Sequence, residues 1–117
     1  MVLIKDCSNA FTGSAGEQSV KAICESVAAA TGIPTARVYT ASTGVIGERL
    51  PHDRITTKIE GLAADLSEGG IEGAARAIMT TDTFAKGASG EVEIDGKTVR
   101  IAGIAKGSGM IAPDMAT

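Results

Sequence analysis

The dipeptide Asp95-Gly96 stands between two runs in which apolar and polar residues alternate: Glu91-Val92-Glu93-Ile94 before it and Lys97-Thr98-Val99-Arg100-Ile101 after it. A period of two places Val92, Ile94, Val99 and Ile101 on one side of extended backbone. Asp-Gly is suited to the positive φ that a type I′ turn demands at both central positions. The spacing therefore predicts an antiparallel hairpin over Gly90–Ile104. Its second strand runs straight into Lys106-Gly-Ser-Gly-Met-Ile-Ala-Pro-Asp-Met-Ala-Thr117. Most chain ends are polar and featureless. This one is apolar and glycine-punctuated, so it reads as a segment covered by another surface, such as a second chain.

Upstream, the pattern alternates between helix and strand. Val2-Leu3-Ile4 is a short apolar run with the character of a buried strand, and Asp6 to Gly13 is polar and turn-rich. Ser14-Ala-Gly-Glu17 has the form of a capping box. The predicted helix, Gly16 to Thr31, buries Val20, Ile23, Cys24, Val27 and Ala28 at the spacing of one helical face. Gly32 suits a left-handed stop and Pro34 prevents resumption. Arg37–Ala41 is β-rich and predicted as a strand delivering the chain to a tight turn at Ser42-Thr43-Gly44. Ile55, Ile59, Leu62, Ala63 and Leu66 mark a second amphipathic helix, ended by Ser67-Glu-Gly-Gly70. A third helix is expected from Ile71 to Met79, followed by a loop at Thr80-Thr-Asp-Thr83.

The composition narrows the function classes. With no Trp, one Tyr and two Phe, the core must be built from Ala, Val, Ile, Leu and Met. A net charge of -3 without a basic run argues against nucleic acid, whose phosphates demand clustered Lys and Arg. Nor is there a basic amphipathic face for a membrane surface. No run approaches the roughly 20 apolar residues of a spanning helix. The expectation is one α/β domain over residues 1–117, cytoplasmic, with Cys7 and Cys24 as reduced thiols. His52, the single histidine, has no ligand cluster around it, so no metal is expected. Gly96-Lys97-Thr98 imitates the end of a P-loop, but it falls in a hairpin turn and the spacing to Gly90 is wrong.

Three stretches, Lys106–Thr117, Ala41-Ser-Thr-Gly-Val-Ile-Gly47 and Ala77-Ile-Met-Thr-Thr-Asp-Thr83, resemble in order the motifs of the ornithine acetyltransferase family. Its members are bifunctional glutamate N-acetyltransferases of arginine biosynthesis. The resemblance runs from about Asn9 to Thr117; Lys5-Asp6-Cys7 departs from the pattern, and family members carry several dozen residues upstream. It implies an αββα layered sandwich of the ornithine acetyltransferase or DmpA-like N-terminal-nucleophile type, its sheet completed by a second chain. It also implies that this chain is all or part of an α-chain, partnered by a β-chain from the same precursor in an αβ dimer and an α2β2 heterotetramer. The substrates implied are N2-acetylornithine and glutamate, with no cofactor.

The same resemblance distributes roles. The precursor would be cut between Ala116 and Thr117, and the freed Thr117 would be the nucleophile. A hydroxyl is a weak nucleophile without an adjacent base, and a liberated amine on the same residue supplies one. Thr43 and Gly44, on residue type alone a strand-ending turn, would donate to a developing oxyanion. Thr83 and Lys106 would bind substrate; their ordinary alternatives are a loop residue bonded locally and a solvated surface charge. Two other functions share these residues: an amidohydrolase or aminopeptidase of the same fold passing the acyl group to water, and a non-catalytic fragment that binds a partner.

Overall fold

The computed structural model describes residues 1–4 and 8–108. The elements mix helix and strand, an α/β arrangement as expected, and fall into two compact units, Met1–Ser67 and Glu68–Thr117.

In the first unit, β1 (Val2–Ile4) and β2 (Thr40–Ser42) pair in parallel, with Leu3 opposite Ala41. Parallel strands need a crossover between them, and α1 (Gly13–Thr31) supplies it. Gly32 ends that helix with φ 71° and donates its amide to the Ala28 carbonyl, the left-handed stop read from the sequence. The chain returns through a 3-10 turn at Thr35–Arg37 and reaches β2 after Val38. The strand expected over Arg37–Ala41 thus begins later, because Arg37 and Val38 donate to the carbonyls of Pro34 and Thr35 instead of to a neighbouring strand.

The core of this unit lies where α1 packs on α2 (His52–Ala64). Ile23 is fully buried, and Leu50, Ile59, Cys24 and Val38 are buried as well. Each such aliphatic side chain contributes roughly 1.5–3 kcal/mol when removed from water. The buried face of α1 is Gly16, Ser19, Ile23 and Cys24; Val20, Val27 and Ala28 are only half-buried. Ser19 is tolerated at 0 % exposure because its Oγ lies 3.0 Å from the Ala15 carbonyl and 2.9 Å from His52 Nδ1. Leu62 and Leu66, expected on the buried stripe of α2, are 58 % and 76 % exposed. Ile59 alone of that stripe is fully inside, and the described residues provide no cover for the other two.

The capping box is overturned. The helix starts three residues before the expected Gly16, so Ser14 sits inside it, and Thr12 occupies the cap position without a side-chain cap. Asn9 organises the entry instead. Its Nδ2 donates to the Gly16 carbonyl at 2.9 Å, while Thr12 Oγ1 donates to the Asn9 carbonyl at 2.9 Å. Phe11 and Gly13, both with positive φ, turn the chain into the helix. Cys24 is a buried free thiol; Cys7 lies outside the described residues.

In the second unit, α3 (Ile71–Ala77) packs on the hairpin of β3 (Lys86–Ile94) and β4 (Lys97–Ala105). The helix stops two residues short of the expected Met79. Asp95 and Gly96 have φ of 51° and 73°, the expected type I′ turn, and Val92 faces Val99 across the ladder. Pairing extends beyond the predicted span, from Lys86 opposite Ala105. Glu91 and Arg100 form a cross-strand ion pair on one face. The other face carries Val92, Ile94, Val99 and Ile101, all exposed. No helix among the described residues is long and apolar enough to cross a membrane.

A Cβ at Gly16 would fall on Thr12 Oγ1 and crowd Asn9 Oδ1. Gly61, inside α2, faces open space. Gly16→Ala is expected to lower stability by about 1–3 kcal/mol through overpacking, whereas Gly61→Ala raises it by about 0.5–1 kcal/mol through reduced unfolded-state entropy. Opposite shifts in melting temperature are the outcome to look for.

Candidate functional site

Thr43 and Gly44 follow β2 directly. The Thr43 amide donates to the Ile4 carbonyl at 3.0 Å and so prolongs the parallel ladder by one bond. Any further donation by Thr43 therefore falls to its hydroxyl, which belongs to an exposed residue. Gly44 has φ 143°, backbone that side chains rarely adopt, so glycine is required there by conformation. Beyond it, the Val45 carbonyl accepts from the Ser8 amide at 3.2 Å and the Gly47 amide donates to Ala10 at 3.0 Å. The turn is thereby pinned to the segment entering α1, with its Thr-Gly tip left exposed. An exposed glycine next to a hydroxyl, on a turn held at both ends, suits a pair of donors aimed at an external oxygen.

Thr83 and Lys106 belong to the second unit. Thr83 is exposed and lines a groove of about 500 Å³ together with Ile71, Ala75, Arg76, Lys86 and Ile104. The walls thus combine a hydroxyl and aliphatic surface with the charges of Arg76, Lys86 and Glu72, and Lys86 is itself paired with Asp82. Arg76 is already paired with Glu72 at 2.8 Å. Lys106 lies one residue past β4 and is exposed, with its ammonium available to solvent or solute.

Beside Thr83 stands a residue that falls within one of the family-like motifs but to which the resemblance gives no role. Asp82, the neighbour of Thr83, has a side chain only 1 % exposed. Its Oδ1 accepts from Lys86 Nζ at 2.6 Å and from the Gly107 amide at 2.6 Å, and its Oδ2 accepts from the Thr80 amide at 3.2 Å. The Lys86 bond first, and the Gly107 amide second, hold the carboxyl well below the usual carboxylate range, against the opposing pull of desolvation. Lys86 also lies over the Phe84 ring, 4.5 Å from its centroid. Beside this cluster Thr81 Oγ1 and Ser108 Oγ are 2.8 Å apart. The available clue was a carboxylate set among threonines with a lysine four residues on, which reads equally well as a solvated loop.

Ala116 and Thr117, the expected cleavage pair and nucleophile, lie outside the described residues, as does the rest of the segment from Gly109. His52 is engaged by Ser19 and lies 3.5 Å from the Asp53 carboxylate. Among the described residues no group of three His, Cys, Asp or Glu is placed to hold a metal. Lys97 and Thr98 open β4 directly after the Asp95-Gly96 hairpin turn.

Comparison with known proteins gives these features a context. The model of the ArgJ family matches residues 1–117. The arginine biosynthesis bifunctional protein ArgJ of Ruegeria pomeroyi is 66 % identical over 110 residues, which is 94 % of this chain and 27 % of that protein. The protein of the same name from Gluconobacter oxydans is 54 % identical over 94 % of this chain and 26 % of its own length. Just over a quarter of each relative is therefore spanned. Among solved structures, ArgJ from Bacillus halodurans superposes with a TM-score of 0.79 at 39 % identity, covering 97 % of this chain and 60 % of that one. The ornithine acetyltransferase of Mycobacterium tuberculosis, solved with ornithine, gives 0.79 at 35 % identity, covering 97 % and 61 %. On a match that runs its whole length, this chain is a member of the ArgJ family.

Proposed function

We propose that the chain is part of the α-chain of an ornithine acetyltransferase, transferring acetyl from N2-acetylornithine to glutamate in arginine biosynthesis in the cytoplasm. The observation that carries this is the family match along all 117 residues, which takes in the junction segment Lys106–Thr117. In the precursor, Thr117 Oγ attacks the Ala116 carbonyl carbon. The C–N bond breaks, the amine takes the proton, and an ester joins Ala116 to Thr117. Water hydrolyses that ester and leaves Thr117 with a free amine at the head of a β-chain. The small Ala116 side chain keeps its carbonyl open to this attack.

Transfer then uses the same hydroxyl. With the Thr117 amine as general base, Thr117 Oγ attacks the acetyl carbonyl, ornithine leaves with the proton on its amine, and an acetyl-Thr117 ester remains. The glutamate amine attacks that ester in a second step and regenerates the hydroxyl. Both tetrahedral intermediates bear an oxyanion, for which the Gly44 amide and Thr43 hydroxyl are the proposed donors. Thr83 and Lys106 bind substrate, the lysine through its carboxylate. Acyl transfer between oxygen and nitrogen moves no redox electrons, so this chemistry calls for no cofactor.

The assembly proposed is an αββα sandwich whose sheet is completed by the β-chain, with two such αβ pairs forming a heterotetramer. Its support here is the exposed side of the hairpin, where Val92, Ile94, Val99 and Ile101 form an apolar row open to a partner.

In the full-length precursor, Thr117→Ala is expected to abolish both self-cleavage on a gel and formation of acetylglutamate; normal processing and turnover would refute the nucleophile. Thr43→Ala should lower kcat by roughly 10²–10³-fold, the usual cost of one oxyanion donor, with the melting curve unchanged. An unaltered rate would remove that residue from the oxyanion site, and acetate in place of acetylglutamate from the parent enzyme would point to a hydrolase.

A further inference from the structure

We propose that Asp82 is a positioning residue that sets Thr83 and Lys106 in one substrate-binding arrangement. This rests on the acetyl-transfer reading above and adds to it a residue that touches no substrate itself. The last ladder pair of the hairpin is Lys86 with Ala105, so backbone pairing ends before either Thr83 or Lys106 is reached. Beyond that point the two chain segments are free to splay unless something ties them. Asp82 does so, one residue from Thr83, by accepting the amide of Gly107, one residue from Lys106.

The tie is built from several agreeing parts. Gly107 has φ 146°, and a Cβ there would meet nothing within 4 Å, so backbone direction and not lack of space is what glycine provides. That direction aims its amide at the carboxylate. Lys86 neutralises the same oxygen that accepts from Gly107, so a nearly covered charge is retained without an unpaired partner. Thr81 and Ser108 add a second bond between the same two segments.

A plain structural brace would alter stability and leave binding untouched, which separates the two roles. Oδ1 takes both the Lys86 and Gly107 bonds, while Oδ2 takes only the longer one from Thr80. An asparagine with its oxygen at Oδ1 therefore keeps the Gly107 bond and gives up the longer Thr80 one, since its amide nitrogen cannot accept; an alanine loses both.

The experiment uses the full-length, self-processed enzyme and compares KM and kcat for N2-acetylornithine and glutamate in the parent, Asp82→Ala, Asp82→Asn and Thr81→Val. Expected are a KM at least about tenfold higher in Asp82→Ala with a much smaller fall in kcat, a KM within about threefold of the parent in Asp82→Asn, and an intermediate rise in Thr81→Val. An unchanged KM in Asp82→Ala overturns the assignment, whatever its melting temperature, as does an Asp82→Asn enzyme no better than the alanine variant. Should Asp82→Ala fail to fold, the Thr81→Val result decides: a raised KM with normal processing supports the tie, and an unchanged KM overturns it. A parent enzyme that makes no acetylglutamate would defeat the functional reading itself, a result distinct from any difference among the variants.

Discussion

The first unit depends on the close approach of α1 to its neighbours, and that approach is set by small residues. Gly16 and Ser19 share the buried face with Ile23 and Cys24, so little side-chain bulk separates the helix from what it packs against. The cost of placing a hydroxyl inside is met by the Ala15 carbonyl and the His52 ring nitrogen. His52 is consequently a packing and hydrogen-bonding residue at the start of α2. Ile23 and Ile59 supply the apolar burial around that polar contact, and β2 is brought alongside β1 by the same crossover.

The second unit obeys a different constraint. Its hairpin has full backbone pairing and a well-formed turn, yet Val92, Ile94, Val99 and Ile101 remain accessible. A two-stranded ribbon gains little stability by itself, so an uncovered apolar side has physical meaning. At the far end of the ribbon, order comes from polar contacts instead. Asp82, Lys86, Gly107, Thr81 and Ser108 hold the strand exit through hydrogen bonds that are directional, which apolar burial is not.

Several elements were legible because their signals are local. The alternation around Asp95-Gly96 and the left-handed stop at Gly32 each depend on backbone angles that few residues adopt. The error at the helix entry was also local in origin. Ser14 and Glu17 fit a capping pattern, but Asn9 and Thr12, with the positive φ of Phe11 and Gly13, begin the helix earlier. Leu62 and Leu66 show the limit of periodicity: spacing identifies a face without identifying what covers it. Thr43, Gly44, Thr83 and Lys106 were picked out by motif resemblance; residue type would have left each as a turn, a loop hydroxyl or a surface charge.

Family membership, the hairpin and the three helices follow from the order of residues alone. Each is encoded by neighbours within a few positions, or by motifs read directly. Tertiary structure decided that Ser19 is satisfied inside the core, that the apolar row of the hairpin is open, and that Asp82 accepts the amide of Gly107. The physical reason is sequence distance: Ser19 meets His52 and Asp82 meets Gly107 across 33 and 25 positions, and no local propensity reports which groups the fold brings together over such separations.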